Sequence, residues 1–481
     1  MKNGNLRDKV YGCWLGKSIG GTLGAPFECR KEVLHLSFYD PVPKESVPND
    51  DLDLQLVWLN LLRKKGFDIA GRDFAKAWLK NITYNFDEYG VVKSNLKMGL
   101  IPPASGYYNN WFQNGMGAAI RSEIWAVIAP GKPEVAAYYA YQDASVDHYG
   151  EGIYGEIFMA ALESAAFVDS DRNRLIKTGL AFFPKTSRVS QAVTLLCSLY
   201  RQKVSWLEAR QALLDRFGQS NMSDCVQNIG FIILGLLYGE GDFEKTILSA
   251  VNCGYDSDCT AATAGAIMGI ILGAKKIPKK WKAPIGNRIA VDSRIVGIKA
   301  PENLFQLTEE TMAIGRFAAK SKIRVLSKPF ILPSVEVVAP PLSFPFLLNG
   351  KKSVSFTDCH FNLSAYFKKI PGKIRLATCL VNPVSRKVRV LPACNDGVKL
   401  WLDGKLILSH HDHNPIRPAP HYPEKSRFVD VSLSKGNHRV VLEISCCRKP
   451  IEFSWMVGEW DERHSFPLLT DVRYFLEKTR R

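Results

Sequence analysis

The sequence has few of the features that mark secreted, membrane-spanning or disulfide-rich proteins. It has 11 cysteines in 481 residues, an odd number, and none of them form a C-x-x-C motif. We expect these cysteines to be reduced core residues and not a disulfide framework. No apolar segment reaches the length of about 18 residues that suggests a transmembrane helix, and the N-terminus M-K-N-G-N-L-R-D-K-V has no apolar signal core. We therefore expect a soluble cytoplasmic protein without a membrane partner, with export left open if a signal has been removed.

Acidic residues are fewer than basic ones. The chain has 63 Lys and Arg against 47 Asp and Glu, a net charge of +16 and a pI near 9.2. Such a charge favours polyanionic neighbours, and a phosphate-bearing ligand or a nucleic acid would both suit it. However, the basic residues are spread along the chain and no nucleic-acid motif accompanies them. A solvated basic face is the preferred interpretation, and a nucleic-acid partner is not expected.

The apolar pattern changes near residue 325, which predicts two domains. Before this point apolar residues recur at helical spacing, and after it come prolines and then short alternating segments. We predict an all-α domain over 1–322, a proline-rich linker over 323–345 and a smaller β-sandwich domain, jelly-roll-like, over 346–481. Strands of the second domain are predicted at Lys373–Val381, Arg386–Ala393, Gly397–Leu402, Lys405–Ser409, Arg427–Leu433 and His438–Ser445.

Two clusters of aspartates are the main chemical signal. Asp50 and Asp51 lie in P-N-D-D-L-D, and Asp256 and Asp258 lie in G-Y-D-S-D-C, each where a helix is expected to begin. One such pair usually serves only as a helix cap. Carboxylates aimed at one point repel each other unless a cation or a shared proton holds them. Two clusters of this form favour a divalent metal site.

Glycines spaced by four residues predict how the two clusters meet. The N-terminal segment has Gly12, Gly16, Gly20 and Gly24, and the segment after the second cluster has Gly265, Gly269 and Gly273. A stripe of small residues on one helical face lets two backbones approach closely. We expect these helices to cross. An antiparallel crossing would bring Glu28 beside the second cluster, so that five carboxylates surround one cleft.

Four motifs then carry a family resemblance. G-K-S-I-G-G-T-L-G-A-P-F-E at 16–28, N-D-D-L-D at 49–53, D-A-S-V-D-H at 143–148 and G-Y-D-S-D-C at 254–259 resemble the ordered motifs of the ADP-ribosylglycohydrolase family over about the first 320 residues. The resemblance implies an all-α hydrolase that binds two Mg²⁺ ions in a central cleft and cleaves the glycosidic bond at C1 of an ADP-ribosyl group.

The resemblance also implies roles for individual residues. Glu28 corresponds to the family's glutamate that gates the cleft, and His148 to its substrate-binding histidine, with Asp143 heading the same segment. The metal ligands implied by the two acidic motifs are Asn49, Asp50, Asp51, Asp256, Asp258 and Cys259.

The chain departs from the family pattern at several positions. Gly21 stands where the family has an aspartate, Asn49 and Cys259 stand where it has threonines, and Tyr255 stands where it has a glycine. A thiol is a poor ligand for Mg²⁺, so Thr260 or water would have to supply the missing hydroxyl. Tyr255 becomes a candidate substrate contact, and these departures bear on the substrate more than on the metal.

Chemical roles follow from the reaction that the resemblance implies. Cleavage passes through an oxocarbenium-like state, so a carboxyl group must transfer a proton, and Glu28 is the candidate. Asp51 or Asp258 would orient the attacking water. In the loop at 101–117, Ser105, Gly106 and Asn110 are candidates for lining the cleft, although this segment also suits an ordinary connection.

Two alternatives to an ADP-ribosyl hydrolase stay open. The C-terminal segment resembles the β-sandwich modules of glycoside hydrolases, including PA14-like and other carbohydrate-binding domains, which suggests a glycosidase acting on another sugar and a carbohydrate partner. A module that only packs against the helices or mediates oligomers fits its turn-rich pattern as well. The second alternative is a non-catalytic protein that binds an ADP-ribose-like ligand. The expected partner of the leading function is a small-molecule or ADP-ribosylated protein substrate.

Overall fold

The computed structural model describes residues 3–318, 323–337, 343–411, 428–460, 468–469 and 471–476. The chain forms two compact units. The first comprises Met1–Thr83, Ile101–Gly106 and Phe112–Val335, and the second comprises Tyr84–Leu100, Tyr107–Trp111 and Glu336–Arg481. The predicted domain boundaries stay a prediction. Residues 319–322, just before the predicted linker, and 338–342, within it, lie outside the described residues.

Helices are the regular secondary structure of the described residues before 319, as predicted. None of their helices is long and apolar enough to cross a bilayer. The helices are α1 Asn3–Gly24, α2 Asp50–Lys65, α3 Gly71–Asn81, α4 Asp87–Lys97, α5 Ala104–Tyr107, α6 Glu123–Ile128, α7 Pro133–Ala144, α8 Glu151–Ala166, α9 Arg172–Leu180, α10 Arg188–Arg201, α11 Trp206–Phe217, α12 Cys225–Tyr238, α13 Phe243–Val251, α14 Ser257–Leu272, α15 Lys279–Lys282 and α16 Leu304–Ala318.

Helices α1 and α14 cross in the core of the first unit with their backbones in direct contact. A β-carbon built on Gly16 would lie 2.5 Å from the carbonyl carbon of Gly265, and one built on Gly12 would overlap the carbonyl group of Gly269. Successive glycines of α1 meet successively earlier residues of α14, so the helices are antiparallel. This confirms the predicted crossing, and it brings the end of α1 to the start of α14.

The second unit contains two antiparallel sheets. The larger has the order β2-β1-β4-β9-β6-β7, with β11 also paired to β4, and the smaller has the order β3-β10-β5-β8. The strands are β1 Phe344–Leu348, β2 Lys352–Phe356, β3 His360–Asn362, β4 Gly372–Asn382, β5 Arg386–Cys394, β6 Val398–Leu402, β7 Lys405–His410, β8 Val429–Leu433, β9 Gly436–Cys446, β10 Glu452–Glu459 and β11 Arg473–Phe475.

The inner faces of both sheets share one apolar core, which makes the second unit a sandwich. Phe346 and Leu376 of the larger sheet and Phe453 of the smaller sheet are buried in this core. The predicted combination of a helical N-terminal region and an antiparallel β region is therefore confirmed. Each predicted strand overlaps an observed one, although Arg427, the first residue of one prediction, lies outside the described residues.

Helix α4 belongs to the second unit and not to the helical one. Ser94 on this helix accepts a hydrogen bond from the backbone N–H of Leu468 at 3.0 Å. Leu100 and Tyr108 are buried in the core of the sandwich. They lie on either side of Ile101–Gly106, a segment that belongs to the first unit. Part of the N-terminal sequence therefore completes the β unit.

Candidate active site

Asn49 links the two acidic clusters. It caps α2, because its Oδ1 accepts a hydrogen bond from the backbone N–H of Asp51 at 2.7 Å. Its Nδ2 donates to Asp258 Oδ2 at 3.2 Å. Asp258 lies in the first turn of α14, so one side chain ties together the N-termini of two helices. Both ends carry positive partial charge, which favours carboxylates there.

Three buried side chains converge at this junction. One ligand atom each from Asp51, Asp258 and Cys259 lie within 4.8 Å of one another. Asp258 Oδ1 is buried and accepts no hydrogen bond from the part of the chain that the structure describes. A buried carboxylate oxygen without a donor is costly, and a divalent cation would satisfy it. The two carboxylates therefore fit a metal ion.

Burial raises the proton affinity of these carboxylates. It raises the pKa of Asp51 to about 7, with Lys17 opposing the shift and Asp258 adding to it. Burial and the nearby Glu28 raise the pKa of Asp258 to about 7, and burial and Asp258 raise the pKa of Asp256 well above its ordinary value. Burial is the main cause of each shift, and the neighbouring carboxylates add to it.

Glu28 and Asp50 lie at the more open side of the cluster. Glu28 is exposed at the end of a short 3₁₀ helix, Ala25–Phe27, that follows α1 directly, and Asp50 is half-buried in the first turn of α2. The charge of Glu28 acts on both Asp256 and Asp258. The structure thus brings together the carboxylates that the sequence singled out, while their roles stay predictions.

Two departures from the family pattern are neighbours in space. A β-carbon at Gly21 would lie 2.9 Å from Asn49 Nδ2, a distance too short for an ordinary contact. A side chain at position 21 therefore requires the amide group of Asn49 to move. The two replacements fit each other.

Cys259 acts as a hydrogen-bond donor in this site. Its Sγ donates to Asp51 Oδ1 at 3.3 Å, and burial and the charge of Asp256 raise the pKa of the thiol well above its ordinary value. A thiol is a poor ligand for Mg²⁺, which prefers oxygen donors. The hydroxyl of Thr260 donates to the Ser257 carbonyl at 3.2 Å, within its own helix.

Tyr255 stands at a position that favours glycine. Its φ is +64°, in the left-handed region. Its backbone N–H donates to the Arg30 carbonyl at 2.5 Å, and its own carbonyl accepts from the backbone N–H of Cys29 at 2.9 Å. These bonds fasten the segment after Glu28 to the start of α14. Substrate binding by Tyr255 stays a prediction.

The other predicted substrate contacts are packed closely. Ser105 Oγ donates to the Val146 carbonyl at 2.7 Å, and a β-carbon at Gly106 would lie 2.7 Å from the backbone nitrogen of His148. Asn110 belongs to the second unit, where its backbone N–H donates to the Tyr107 carbonyl at 3.4 Å. The assignments of Ser105, Gly106 and Asn110 as substrate contacts stay predictions.

Asp143 and His148 belong to a buried network around Arg121. The Arg121 guanidinium pairs with Asp143 at 2.9 Å and with Asp147 at 2.7 Å. His148 Nδ1 lies 3.0 Å from Asp147 Oδ1, and Trp125 Nε1 donates to Asp143 at 3.2 Å. Their described partners differ from those of the acidic cluster, and their role as substrate contacts stays a prediction.

Sequence reasoning missed three residues at the site, Lys17, Gln55 and Glu123. Lys17 Nζ lies 3.1 Å from Asp51 and 2.8 Å from Glu123. Gln55 Nε2 donates a hydrogen bond to Glu123 Oε2 at 2.8 Å. A signal for Lys17 exists in the sequence, because it is the only charge between Val10 and Phe27. Glu123 has no comparable signal.

Comparison with known proteins assigns the helical region. A family model described as ADP-ribosylglycohydrolase matches residues 2–313. No match to a curated protein reaches significance. Among solved structures, an ADP-ribosylglycohydrolase-related protein complex is 18% identical, with 65% of this chain and 97% of that chain covered and a TM-score of 0.46.

Two glycosidase structures are also similar over shorter stretches. A β-glucosidase from Kluyveromyces marxianus in complex with glucose is 15% identical over 23% of this chain and 14% of that chain, with a TM-score of 0.18. The GH31 α-xylosidase from Xanthomonas citri is 16% identical over 28% of this chain and 15% of that chain, with a TM-score of 0.19. All three TM-scores are too low to support an argument, so the family match alone carries the assignment.

Proposed function

The chain belongs to the ADP-ribosylglycohydrolase family, and on that premise we propose that it hydrolyses a glycosidic bond at a ribosyl group. The proposed substrate is ADP-ribose attached to a protein side chain or to a small molecule. The net charge of +16 suits a substrate that carries a pyrophosphate.

The observation that carries this proposal is the meeting of two helix N-termini at a buried acidic cluster. Asp51 of α2 and Asp258 of α14 contribute ligand atoms within 4.8 Å of each other, and Asn49 bridges the two helices. Glu28 stands at the exposed side of the same cluster. Family membership and this arrangement together support hydrolysis at this cluster.

Mg²⁺ is the proposed cofactor, because the available donors are mainly carboxylate and amide oxygens. Asp50, Asp51, Asp256 and Asp258 would hold the ion, with Asn49 as a further oxygen donor. Cys259 is a hydrogen-bond donor to Asp51 and is left out of the ligand set. When bound, Mg²⁺ would supply a Lewis acid beside the scissile ribosyl group.

The chain's own residues would handle orientation and proton transfer. Glu28 is exposed and follows α1 directly, so its carboxyl group can reach a substrate and exchange protons with solvent. We assign it the proton transfer to the leaving group or from the attacking water. Asp51 or Asp258 would orient that water. The packing of α1 against α14 positions Glu28 relative to Asp258.

Hydrolysis assays on a panel of substrates test the proposal. ADP-ribosylated protein and ADP-ribosylated small molecules are incubated with the protein, with Mg²⁺ or with chelator, and free ADP-ribose is measured. We expect release only with Mg²⁺, and a loss of at least about 100-fold in kcat for Glu28→Gln. Glu32→Gln is the matched control, since Glu32 is an exposed glutamate in the same loop. Full release with chelator present would contradict the proposal.

A saccharide substrate or partner is the second candidate, and a groove on the larger sheet favours it. The groove has a volume of about 570 Å³ and is lined by Arg375, Trp401, Arg439, Val441 and Glu443, among others. In the sheet Val441 is directly opposite Trp401, and Glu443 is directly opposite Arg375. An aromatic ring beside charged hydrogen-bonding groups suits a sugar, which has apolar faces and hydroxyl edges.

Glycan binding to the groove tests this candidate. A panel of oligosaccharides is first screened for binding to the native protein. We expect Trp401→Ala to abolish binding to each oligosaccharide that the native protein binds. Phe475→Ala is the control, because Phe475 is an exposed aromatic residue of the same sheet that does not line the groove. Equal binding by both variants would remove the groove from consideration. Binding of ADP-ribose without turnover of any substrate would instead support a non-catalytic ligand-binding protein.

A further inference from the structure

A buried lysine forms one wall of the acidic cluster. The side chain of Lys17 is only 1% exposed. Its Nζ lies 3.1 Å from Asp51 Oδ2 and 2.8 Å from Glu123 Oε1. An ammonium group is costly to bury unless carboxylates surround it. Lys17 is therefore a fixed positive charge in contact with a predicted metal ligand.

Several structural elements hold the Lys17 ammonium in place. It also donates to the Ile120 carbonyl at 2.5 Å, and it lies 3.4 Å from the Thr263 hydroxyl on α14. The ion pairs with Asp51 and Glu123 hold the ammonium between two buried carboxylates. Its position is set by residues on both sides of the cluster.

Lys17 limits which oxygens can bind a cation. Asp51 Oδ2 faces the ammonium, and Asp51 Oδ1 accepts a hydrogen bond from Cys259 Sγ at 3.3 Å. Asp258 Oδ2 accepts from Asn49, while Asp258 Oδ1 has no donor among the described residues. Three of these four carboxylate oxygens therefore already face a positive charge or a hydrogen-bond donor.

We propose that the Lys17 ammonium takes the place of a second divalent ion, so that the cluster binds one divalent cation per chain. A fixed positive charge next to Asp51, in a site shielded from water, repels a second cation strongly. This inference rests on the proposed metal-dependent function and specifies its cofactor stoichiometry, whereas the family resemblance implies two ions.

Manganese titration tests the proposal without any substrate. Metal-free protein is titrated with Mn²⁺, and the stoichiometry is measured by calorimetry and by electron paramagnetic resonance, which distinguishes an isolated Mn²⁺ from a coupled pair. We expect one isolated Mn²⁺ per native chain and per Lys17→Arg chain. Lys17→Met removes the charge at similar size and is expected to bind two ions as a coupled pair. Lys64→Met, at an exposed lysine of α2, is the control and should bind one.

Two results overturn the proposal. One is a pair of ions in the native protein, and the other is a single ion in folded Lys17→Met. If Lys17→Met does not fold, the number of Mn²⁺ ions bound by the native protein and by Lys17→Arg tests the inference. Two ions per chain in either protein contradict it. One Mn²⁺ per chain without hydrolysis of any substrate would remove the proposed function and leave the inference standing. No bound Mn²⁺ would remove both.

Discussion

The close contact of α1 with α14 makes Gly16→Ala a demanding test of how the site is built. The added β-carbon would lie 2.5 Å from the carbonyl carbon of Gly265, and ordinary van der Waals contact begins at 3.4 Å. The helices must therefore separate by more than about 0.9 Å, because the carbonyl oxygen of Gly265 lies closer still and no side-chain rotation relieves a clash with backbone. Asp258 at the start of α14 would move with its helix.

We expect Gly16→Ala to cost about 2 kcal/mol. Overpacking of this kind typically costs about 1–3 kcal/mol, and the higher helix propensity of alanine returns at most about 1 kcal/mol. At an unfolding entropy of about 2.1 cal/mol/K per residue, the first unit of roughly 310 residues should then lose about 3 °C in Tm. Affinity for a divalent ion should fall as well, since a ligand displaced by nearly an ångström no longer matches its partners.

Differential scanning calorimetry measures the Tm of each variant, and calorimetric titration with a divalent ion measures its metal affinity. Gly4→Ala is the matched control on the same helix, because a β-carbon there meets nothing within 4 Å. That variant should keep or slightly raise the Tm. If Gly16→Ala unfolds at the native temperature and binds metal normally, the reasoning about the α1–α14 contact is wrong.

Further predictions concern the charges. Asp258→Asn should lower divalent-metal affinity and hydrolysis together, and a variant that keeps full activity without metal would refute the scheme. The pKa values of Asp51 and Asp258 rise from 3.8 to about 7 on folding. Between about pH 4 and pH 7, the metal-free folded protein therefore binds more protons than the unfolded chain. The stability this contributes is complete below about pH 4 and is lost as pH rises through 7. Mg²⁺ should therefore raise the Tm more at pH 8 than at pH 5, and an equal rise would contradict the pKa assignments. Arg121→Met should destabilise the first unit by about 3–5 kcal/mol in denaturant unfolding, because it leaves Asp143 and Asp147 buried without their cation; a loss below about 1 kcal/mol would show that the network is not needed.

Features set by local sequence were the ones that the sequence predicted well. The glycine spacing of α1 and α14 predicted their crossing, because only residues without β-carbons allow that approach. The helix start predicted at the first acidic cluster is confirmed, because α2 begins at Asp50. The alternation of apolar residues predicted strands such as β4 and β9, where one face is buried.

Features set by distant contacts were not predictable from one sequence. Lys17 stands out as a lone charge, but its pairing with Glu123 depends on how α1 packs against a segment far along the chain. The membership of α4 in the second unit depends on contacts such as that of Ser94 with Leu468. The helical pattern of α4 indicates its secondary structure and not the unit against which it packs.

Calorimetric titration with ADP-ribose, with Mg²⁺ present and with Mg²⁺ chelated, tests the central claim most directly. The account predicts binding that requires Mg²⁺ and is weakened by Asp258→Asn, because the ribosyl group is held at the acidic cluster between α2 and α14. Folded protein that binds ADP-ribose equally well with chelator, or fails to bind it when Mg²⁺ is present, would contradict the account.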